Sequence, residues 1–345
     1  MQRLNARDLY SFKALAQMSQ PKLLNTVYEM LKNMYPEGKV TKTVHAVCAE
    51  GEIPICLVAH LDTVFEHPPT EIYYDKEANV MWSPEGLGAD DRAGVFAIFK
   101  ILSTGHLPHV VFTTDEERGA IGASNLVQEP CPFKELDYII ELDRANAIDC
   151  VFYEGANYEF EDYVESFGFV TARGTFTDIV ELCPAWGVSG VNLSIGYRDE
   201  HSISEVLFVG QMLATIEKVK KMLLAPDRKK FPFISQYGYG GMCKCHGCGK
   251  IGASYLMVPI TIDKSNHKVW LCGDCVAKEG VEWCDSCYEG FLPGLLNKDG
   301  LCPECERLEL NGFSKGLFRN TGSVQSGDFM ESGLYPFDDY DYDDF

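Results

Sequence analysis

The chain has 345 residues, 46% of them hydrophobic, which is enough for one large domain and a smaller one. Its formal net charge of -21 argues against nonspecific binding to nucleic acid or to an anionic membrane, because both require a cationic surface. No apolar run approaches the roughly 18 residues of a membrane span, and residues 1–15 contain no signal-peptide core, so we expect a cytoplasmic protein.

The 14 cysteines are unevenly distributed along the chain. Those in the first 230 residues are scattered singly and resemble small buried apolar residues, namely Cys48, Cys56, Cys131, Cys150 and Cys183. The others all lie between Cys243 and Cys305. Such clustering indicates metal binding in a reducing compartment rather than disulfide bonds.

The N-terminal segment predicts two helices and two strands. Residues 8–34 have helical spacing of apolar side chains, and Pro21 suits the first turn of the second helix. Residues 40–47 and 53–58 have the pattern of strands. The second strand is almost continuously apolar, as expected of a strand that is buried on both faces.

Two polar residues follow the second strand. His60 is expected to point into the crevice where open α/β sheets bind ligands. Asp62 projects to the same side of an extended chain, so it can accept a hydrogen bond from the His60 ring and leave the other ring nitrogen for a metal. The alternative is an isolated histidine beside a solvated acid.

An acidic turn is the centre of the predicted site. Asp90 and Asp91 follow Gly88 and precede a helix over residues 93–103, so a carboxylate there could bridge two metal ions. The alternative is a solvated turn or a helix N-cap. Upstream of this turn, residues 65–88 are expected to form a loop or short hairpin.

Acids also follow the next predicted strand, at residues 109–113. Asp115, Glu116 and Glu117 are costly side by side unless cations neutralise them. An acidic helix start is the alternative, because the helix macrodipole favours negative charge there.

Two later strands also lead to polar residues. The strand at 136–142 precedes Asp143, and the strand at 191–195 precedes His201. Residues 204–224 have the apolar spacing of one long amphipathic helix. The alternation of strands with helices predicts a three-layer α/β domain.

These residues, taken in order over positions 10–225, resemble the zinc-dependent exopeptidase superfamily of aminopeptidases, carboxypeptidases and N-deacylases. The resemblance lies in four motifs: His60-x-Asp62, Gly88-x-Asp90-Asp91-x-x-Gly94, Asp115-Glu116-Glu117-x-Gly119-x-x-Gly122, and His201 followed by Ser202-x-x-Glu205. It implies a three-layer α/β/α, phosphorylase/hydrolase-like domain with a mixed central sheet. It also implies a cis peptide bond after Asp90.

The resemblance further implies two catalytic divalent metals held by five ligands, namely His60, Asp90, Glu117, Asp143 and His201. Asp90 would bridge both metals. His60 and Asp143 would complete one metal site, and Glu117 and His201 the other.

The remaining acids of the motifs are given supporting roles by the same resemblance. Glu116 would be the general base, Asp62 would orient His60, and Asp91 would adjust the turn. The short segment between Asp143 and His201 leaves no room for an inserted lid or dimerisation domain, so the compact aminopeptidase-like arrangement fits best.

Two cations close together can hold a shared water and lower its pKa toward 7, and Glu116 could then move its proton to the leaving amine. Nitrogen and oxygen ligands in this mixture suit zinc, with cobalt or manganese as alternatives. Tyr197 and Arg198 are candidates for binding a substrate carboxylate or oxyanion, with surface placement as the alternative. Asp178 is a candidate for binding a substrate amine, with a helix cap as the alternative.

The C-terminal third contains four Cys-x-x-Cys pairs, typical of zinc ribbons. We therefore divide the chain into the hydrolase domain at 1–230, a linker at 231–242, ribbons at 243–281 and 282–310, and a tail at 311–345. Two structural zinc ions are expected on eight ligands, namely Cys245, Cys248, Cys272, Cys275, Cys284, Cys287, Cys302 and Cys305. Sequential and cross-braced pairings both remain open, and Cys243 and His246 are possible substitute ligands.

The ribbons carry no basic stripe, so we expect them to contact protein or to serve as a structural appendage rather than to bind nucleic acid. The tail is acidic and aromatic, and we expect it to be disordered. The alternative is that the tail docks on a basic groove of a partner.

Together these features predict a metal-dependent hydrolase that cleaves a peptide or amide bond, with an aminopeptidase as first choice. A carboxypeptidase or N-acyl amino-acid deacylase is the alternative within the same class. A non-catalytic adaptor that binds proteins through its ribbons and tail is the alternative from another class. The expected partner is a peptide or small amide substrate, with no membrane.

Overall fold

A computed structural model describes residues 2–235, 242–253, 257–263 and 268–310. The chain divides into two compact units, one comprising Met1–Pro259 and Val269–Ala277 and the other comprising Ile260–Lys268 and Lys278–Phe345. In the part of the chain that the structure describes, no helix is both long enough and apolar enough to cross a membrane. The predicted tail at 311–345 lies outside the described residues.

An eight-stranded mixed sheet forms the centre of the first unit, in the spatial order β1-β2-β6-β3-β7-β10-β8-β9. Its strands are β1 (Val40–Lys42), β2 (Ala46–Ala49), β3 (Ile53–His60), β6 (Pro108–Thr113), β7 (Tyr138–Arg144), β8 (Asp149–Val151), β9 (Val170–Thr171) and β10 (Gly190–Ser194). The four central strands, β6, β3, β7 and β10, are mutually parallel. Their carboxyl ends therefore lie at one edge of the sheet.

Helices cover both faces of this sheet. They are α1 (Ala6–Ala16), α2 (Gln20–Lys32), α3 (Ala89–Leu102), α4 (Ile121–Leu126), α5 (Tyr158–Glu165), α6 (Asp178–Trp186) and α7 (Val209–Leu223). Alternate residues of β3 enter two separate apolar cores: Leu57 packs with α1, α2, α3 and α7, whereas Val58 packs with α4 and α6. The predicted three-layer α/β/α class is confirmed.

A second, four-stranded sheet has the order β11-β12-β5-β4. Its strands are β4 (Tyr73–Asp75), β5 (Val80–Trp82), β11 (Tyr197–Arg198) and β12 (Val206–Phe208). The prediction of one helix over 204–224 is wrong at its start, because residues 206–208 pair with β5 and bury Leu207 before α7 begins. The strand predicted at 40–47 is likewise divided, because the hydroxyl of Thr43 accepts the backbone N–H groups of His45 and Ala46 and turns the chain.

Short elements make up the cysteine-rich part. They are β13 (Met242–Lys244), β14 (Ile251–Ala253), β15 (Met257–Thr261), β16 (Lys268–Cys272), α8 (Gly273–Lys278), β17 (Glu282–Trp283), β18 (Gly290–Phe291) and α9 (Pro303–Leu310). Outside this part, a 3-10 turn at Glu116–Arg118 lies between β6 and α4. In the first unit β13 and β14 form an antiparallel pair. In the second unit β18 pairs antiparallel with β17 and parallel with residues 260–261.

Candidate metal centre

The predicted site residues meet at the carboxyl edge of the large sheet. His60 is the last residue of β3, and Asp143 lies near the end of β7. Glu116 and Glu117 form the turn that follows β6, and Asp90 lies in the first turn of α3. The parallel register of β3, β6 and β7 places these three strand ends side by side.

His60, Asp90 and Asp143 form the first group of donor atoms. The Nε2 atom of His60 lies 3.0 Å from Oδ1 of Asp90 and 3.4 Å from Oδ1 of Asp143. All three donor atoms lie within 4.8 Å of one another, so a single cation could contact all of them. His60 is fully buried, which removes water as a competitor for its ring nitrogen.

Asp90, Glu117 and His201 form the second group. The Nε2 atom of His201 lies 3.1 Å from Oδ2 of Asp90 and 3.0 Å from Oε1 of Glu117. Asp90 therefore directs one carboxylate oxygen toward each histidine. This arrangement is suited to a carboxylate that bridges two cations.

Asp62 supports both the first histidine and the acidic turn. Its Oδ1 lies 3.3 Å from Nδ1 of His60, on the side of the ring away from Asp90. Its two oxygens also accept the backbone N–H groups of Glu116 at 3.0 Å and of Glu117 at 3.1 Å. One carboxylate thus fixes the ring of His60 and the backbone of both glutamates.

Hydroxyl groups orient Asp143. The buried Tyr197 donates its O–H to Oδ1 of Asp143 at 3.0 Å, and Thr177 donates to Oδ2 at 3.2 Å. Arg198, by contrast, is exposed and stacks over the ring of Phe208 at 4.6 Å. Of the two candidates for substrate binding, Tyr197 is thus part of the site and Arg198 packs on the small sheet.

The turn before α3 has an unusual backbone. Gly88 has φ +63°, a left-handed conformation that glycine adopts without a steric penalty. The Asp90–Asp91 peptide bond is cis, as the resemblance implies. Asp91 is fully buried and accepts the Gly94 N–H at 2.8 Å, so its side chain faces the turn rather than the two histidines.

Glu205 is a site residue to which sequence reasoning assigned no role. Its carboxylate is fully buried and accepts the backbone N–H groups of Ala89 and Asp90, each at 3.0 Å. The Ser-x-x-Glu motif contained this residue. However, its partners are backbone groups more than a hundred positions earlier in the chain, which no spacing rule indicates.

Burial and the charges of neighbouring groups shift the pKa values of the site residues. Burial, reinforced by Asp143 and other neighbouring acids, raises the pKa of Glu116 to about 9. Burial and Asp90 together raise the pKa of Glu117 to about 7 and that of Asp143 to about 6. The hydrogen bond to Asp90 raises the pKa of His201 to about 9.

Burial is the main cause of the raised carboxyl pKa values, while the neighbouring acids raise the pKa values of His60 and His201. Five carboxylate and imidazole ligands with nitrogen and oxygen donors are the set that zinc and related divalent ions accept. A cation within reach of Asp90 would stabilise the charged carboxylates and so lower these acid pKa values. The residues present therefore fit a pair of divalent metals.

Asp178 is too deeply buried to contact a substrate amine. It is the first residue of α6, fully buried, and accepts a hydrogen bond from the hydroxyl of Thr113. Burial raises its pKa to about 7. This placement supports the interpretation of Asp178 as a structural residue at a helix start.

A cavity of about 560 Å³ reaches one of the five candidate ligands, Glu117. It is bordered by Glu117 and Asp62 on the metal side and by Met18, Val64, Phe65 and Pro68 on its apolar walls. The lining also includes charged residues, among them Arg92, Asp115 and Arg118, and a concave site with both apolar and polar groups is typical of small-molecule or peptide binding.

The cysteine pairs group in chain order. In the first unit the sulfur atoms of Cys245, Cys248, Cys272 and Cys275 lie within 4.8 Å of one another, and in the second unit those of Cys284, Cys287, Cys302 and Cys305 do the same. Backbone N–H groups, foremost that of Cys272, lower the pKa of Cys245 to about 6 despite burial, which acts to raise it. A thiolate is the form that binds zinc.

The two possible substitute ligands have different positions. His246 lies outside the four-sulfur group, and its Nδ1 is 3.3 Å from the backbone nitrogen of Trp270. The side chain of Cys243 lies outside the described part of the chain.

Comparisons with known proteins find similarity to peptidases over the first part of the chain. The model of peptidase family M28 matches residues 44–173. A tripeptidase from Staphylococcus aureus has a similar structure, with a TM-score of 0.50 and 13% identity over 62% of this chain and 96% of that chain. Aminopeptidase PepT from Bacillus cereus gives a TM-score of 0.50 and 14% identity over 62% of this chain and 96% of that chain. The curated proteins contain no match to this sequence.

At such identities the two structures establish a shared fold, and the family match is confined to residues 44–173. That segment contains His60, Asp90, Glu117 and Asp143. We conclude that residues 44–173 of this chain resemble peptidase family M28 and that its large α/β domain has the fold of these two peptidases.

Proposed function

We propose that this protein is an aminopeptidase that removes the N-terminal residue of small peptides with two zinc ions. The observation that carries the proposal is the division of the Asp90 carboxylate, with one oxygen 3.0 Å from His60 and the other 3.1 Å from His201. The same exopeptidase fold occurs in the Bacillus cereus protein whose name is aminopeptidase PepT, which favours this end of the peptide.

Five residues would hold the metals, namely His60, Asp90, Glu117, Asp143 and His201. When bound, a pair of divalent cations supplies Lewis-acid activation of a water and of the scissile carbonyl. Asp62 would keep the His60 ring in the orientation that presents Nε2 to the metal position. Tyr197 and Thr177 would hold the Asp143 carboxylate in place.

Glu116 would move the proton. A carboxylate oxygen of Glu116 lies within 4.8 Å of a ring nitrogen of His60 and a carboxylate oxygen of Glu117, so it borders the position of the attacking water. It would accept a proton from that water and return it to the leaving amine nitrogen. The cavity beside Glu117 would receive the side chain of the substrate.

Hydrolysis by the full-length zinc-loaded protein tests the proposal. Leucine p-nitroanilide should be cleaved and N-acetyl-leucine p-nitroanilide should not, because an aminopeptidase requires a free α-amine. Release of a C-terminal residue from N-blocked peptides, or deacylation of N-acetyl-leucine, would instead favour the carboxypeptidase or deacylase alternative. Absence of turnover on all these substrates with zinc, cobalt and manganese would favour the non-catalytic adaptor.

Replacement of the general base is the matched mutational test. Glu116→Gln should lower kcat by about 10²- to 10⁴-fold, since general-base catalysis contributes on that order. The circular dichroism spectrum should stay unchanged, because the amide is nearly isosteric with the carboxylate. Glu77→Gln, at an exposed position, is the control and should retain wild-type activity.

We further propose that the two groups of four cysteines each bind a structural zinc ion, with the pairs used in chain order. The support is the closeness of the four sulfur atoms in each group. Thiolate ligands persist in a reducing compartment, which agrees with the prediction of a cytoplasmic protein. Protein contact through these modules and the tail remains the predicted mode of any partner binding.

A further inference from the structure

Glu205 is a buried carboxylate whose hydrogen bonds all lie next to the candidate metal centre. Its side chain has no exposed surface, and its two oxygens accept the N–H groups of Ala89 and Asp90 at 3.0 Å each. Burying an acid is costly unless donors compensate it. The carboxylate is therefore placed where it satisfies two backbone groups and not where it meets substrate.

Those two N–H groups belong to the turn from which Asp90 projects. Asp90 and Asp91 have non-helical backbone angles within the first turn of α3 (φ -80°, ψ 104° and φ -115°, ψ 40°). N–H groups at a helix start have no carbonyl partner within the helix. Glu205 supplies the acceptors and so fixes the backbone at Asp90.

The segment that carries Glu205 also carries His201. His201 contacts Oδ2 of Asp90 at 3.1 Å through its ring, while Glu205, four positions later, holds the Asp90 backbone. Between them the backbone N–H of Glu205 donates to the carbonyl of Ser202 at 3.1 Å. One short loop therefore positions a ligand and the residue that this ligand faces.

Asp62 makes the same kind of contact on the other side of the site. It accepts the consecutive N–H groups of Glu116 and Glu117, just as Glu205 accepts those of Ala89 and Asp90. We call each of these a carboxylate clamp. Each of the two acidic turns that contribute candidate ligands is held by its own carboxylate clamp.

We propose that Glu205 is a positioning residue whose carboxylate clamp keeps the two oxygens of Asp90 aimed at the two metal positions. The proposal rests on the two-metal function proposed above. Glu205 is not itself a metal ligand in this proposal, because its two carboxylate oxygens already accept backbone N–H groups. Its loss should therefore weaken the metal pair without removing a ligand.

Metal binding by Glu205→Gln, measured on the full-length protein, tests this. The amide can accept one of the two N–H groups but presents an NH₂ group to the other. We expect the affinity for the two catalytic zinc ions, measured by competition with a chromophoric chelator, to fall by about 10- to 100-fold, as for other residues that orient ligands. Cobalt substitution distinguishes these ions from the cysteine sites, whose thiolate-to-cobalt absorption should not change.

A purely structural role predicts a different result. Glu205→Gln would then lower the unfolding temperature while both catalytic ions bound with wild-type affinity, and that result would overturn the proposal. Glu217→Gln, exposed on α7, is the charge-matched control. If Glu205→Ala fails to fold, Glu205→Gln still tests the proposal, because its side chain is nearly isosteric with glutamate and zinc affinity is measured on the folded protein alone.

Activity gives an independent second readout. If the wild-type protein hydrolyses its substrate, Glu205→Gln should lower kcat by a larger factor than it raises KM. The reason is that weakened metal binding affects the bond being cleaved more than it affects binding of the substrate side chain. If the wild-type protein hydrolyses no amide, the proposed aminopeptidase function fails, yet the chelator competition still supports or overturns the role of Glu205.

Discussion

At the scale of single residues, the site consists of ligand candidates and of the groups that aim them. His60, Asp90 and His201 could be identified from the sequence because each stands at the end of a predicted element within a recognisable motif. Tyr197 and Glu205 could not be assigned their contacts in this way. Their partners, Asp143 and the Asp90 backbone, are remote in sequence, and only the folded chain brings them together.

Tyr197→Phe tests the contribution of one such contact. Removing the hydroxyl takes away the 3.0 Å hydrogen bond to Oδ1 of Asp143 while keeping the buried ring. We expect zinc affinity to fall by about 10-fold, the lower end of effects seen for orienting residues. We also expect a loss of about 1 kcal/mol in the free energy of unfolding.

Chelator competition and urea denaturation measure these two quantities for Tyr197→Phe. Tyr10→Phe, at a residue that is 77% exposed, is the control. Equal zinc affinities for wild type and Tyr197→Phe would mean that the hydroxyl does not orient Asp143.

At the scale of elements, the parallel strands β3, β6 and β7 and the helix α3 create the site. The sequence predicted these strands from their apolar runs, since strands buried on both faces contain few polar residues. It did not predict β12, because residues 206–208 also fit the apolar spacing of the following helix. The partner strand β5, distant in the sequence, decides between the two structures.

Gly94 shows how closely α3 approaches β7. A Cβ atom there would lie 2.4 Å from Oδ2 of Asp91 and 2.4 Å from the carbonyl oxygen of Leu142. Gly94→Ala should therefore destabilise the protein by roughly 1–3 kcal/mol, as overpacking does, and should weaken zinc binding because Leu142 adjoins Asp143.

Thermal and urea unfolding measure the cost of Gly94→Ala. Gly273→Ala, where an added Cβ has no neighbour within 4 Å, is the matched control and should be near neutral. If Gly94→Ala unfolds at the same denaturant concentration as wild type, α3 and β7 are not packed as closely as described.

At the scale of the whole molecule, the chain combines a large α/β domain, which has the fold of known peptidases, with cysteine-rich modules. The order of four short motifs, through its resemblance to the zinc-dependent exopeptidases, predicted the first part, and the spacing of the cysteines predicted the second. The balance of charge in the site could not be read in this way. It depends on which acids and histidines converge at one edge of the sheet, where burial and neighbouring acids raise the pKa values of Glu116, Glu117 and Asp143.

That excess of acids predicts a pH dependence for protein freed of its catalytic metals by a mild chelator. Folding raises the pKa values of Glu116, Glu117 and Asp143. At a pH between the unfolded and the folded pKa of each group, the folded state therefore binds more protons than the unfolded state. Stability must then fall as pH rises from about 5 toward 9. His201, whose pKa is raised to about 9, loses its stabilising contribution in the same direction.

Unfolding temperatures at pH 5.5 and pH 8.5 check this. The protein without catalytic metals should be more stable at pH 5.5, and the stabilisation gained on adding zinc should be larger at pH 8.5, because protons no longer compete for the ligands. A protein without catalytic metals that becomes more stable at the higher pH would contradict the assigned shifts.

The most direct test of the central claim is the anomalous scattering of zinc in crystals of the zinc-loaded protein. We predict two peaks about 3.5–4 Å apart, the spacing of two-metal sites. Asp90 should contact both, His60 and Asp143 one, and Glu117 and His201 the other. A single peak among these residues, or two peaks that do not share Asp90, would contradict the account.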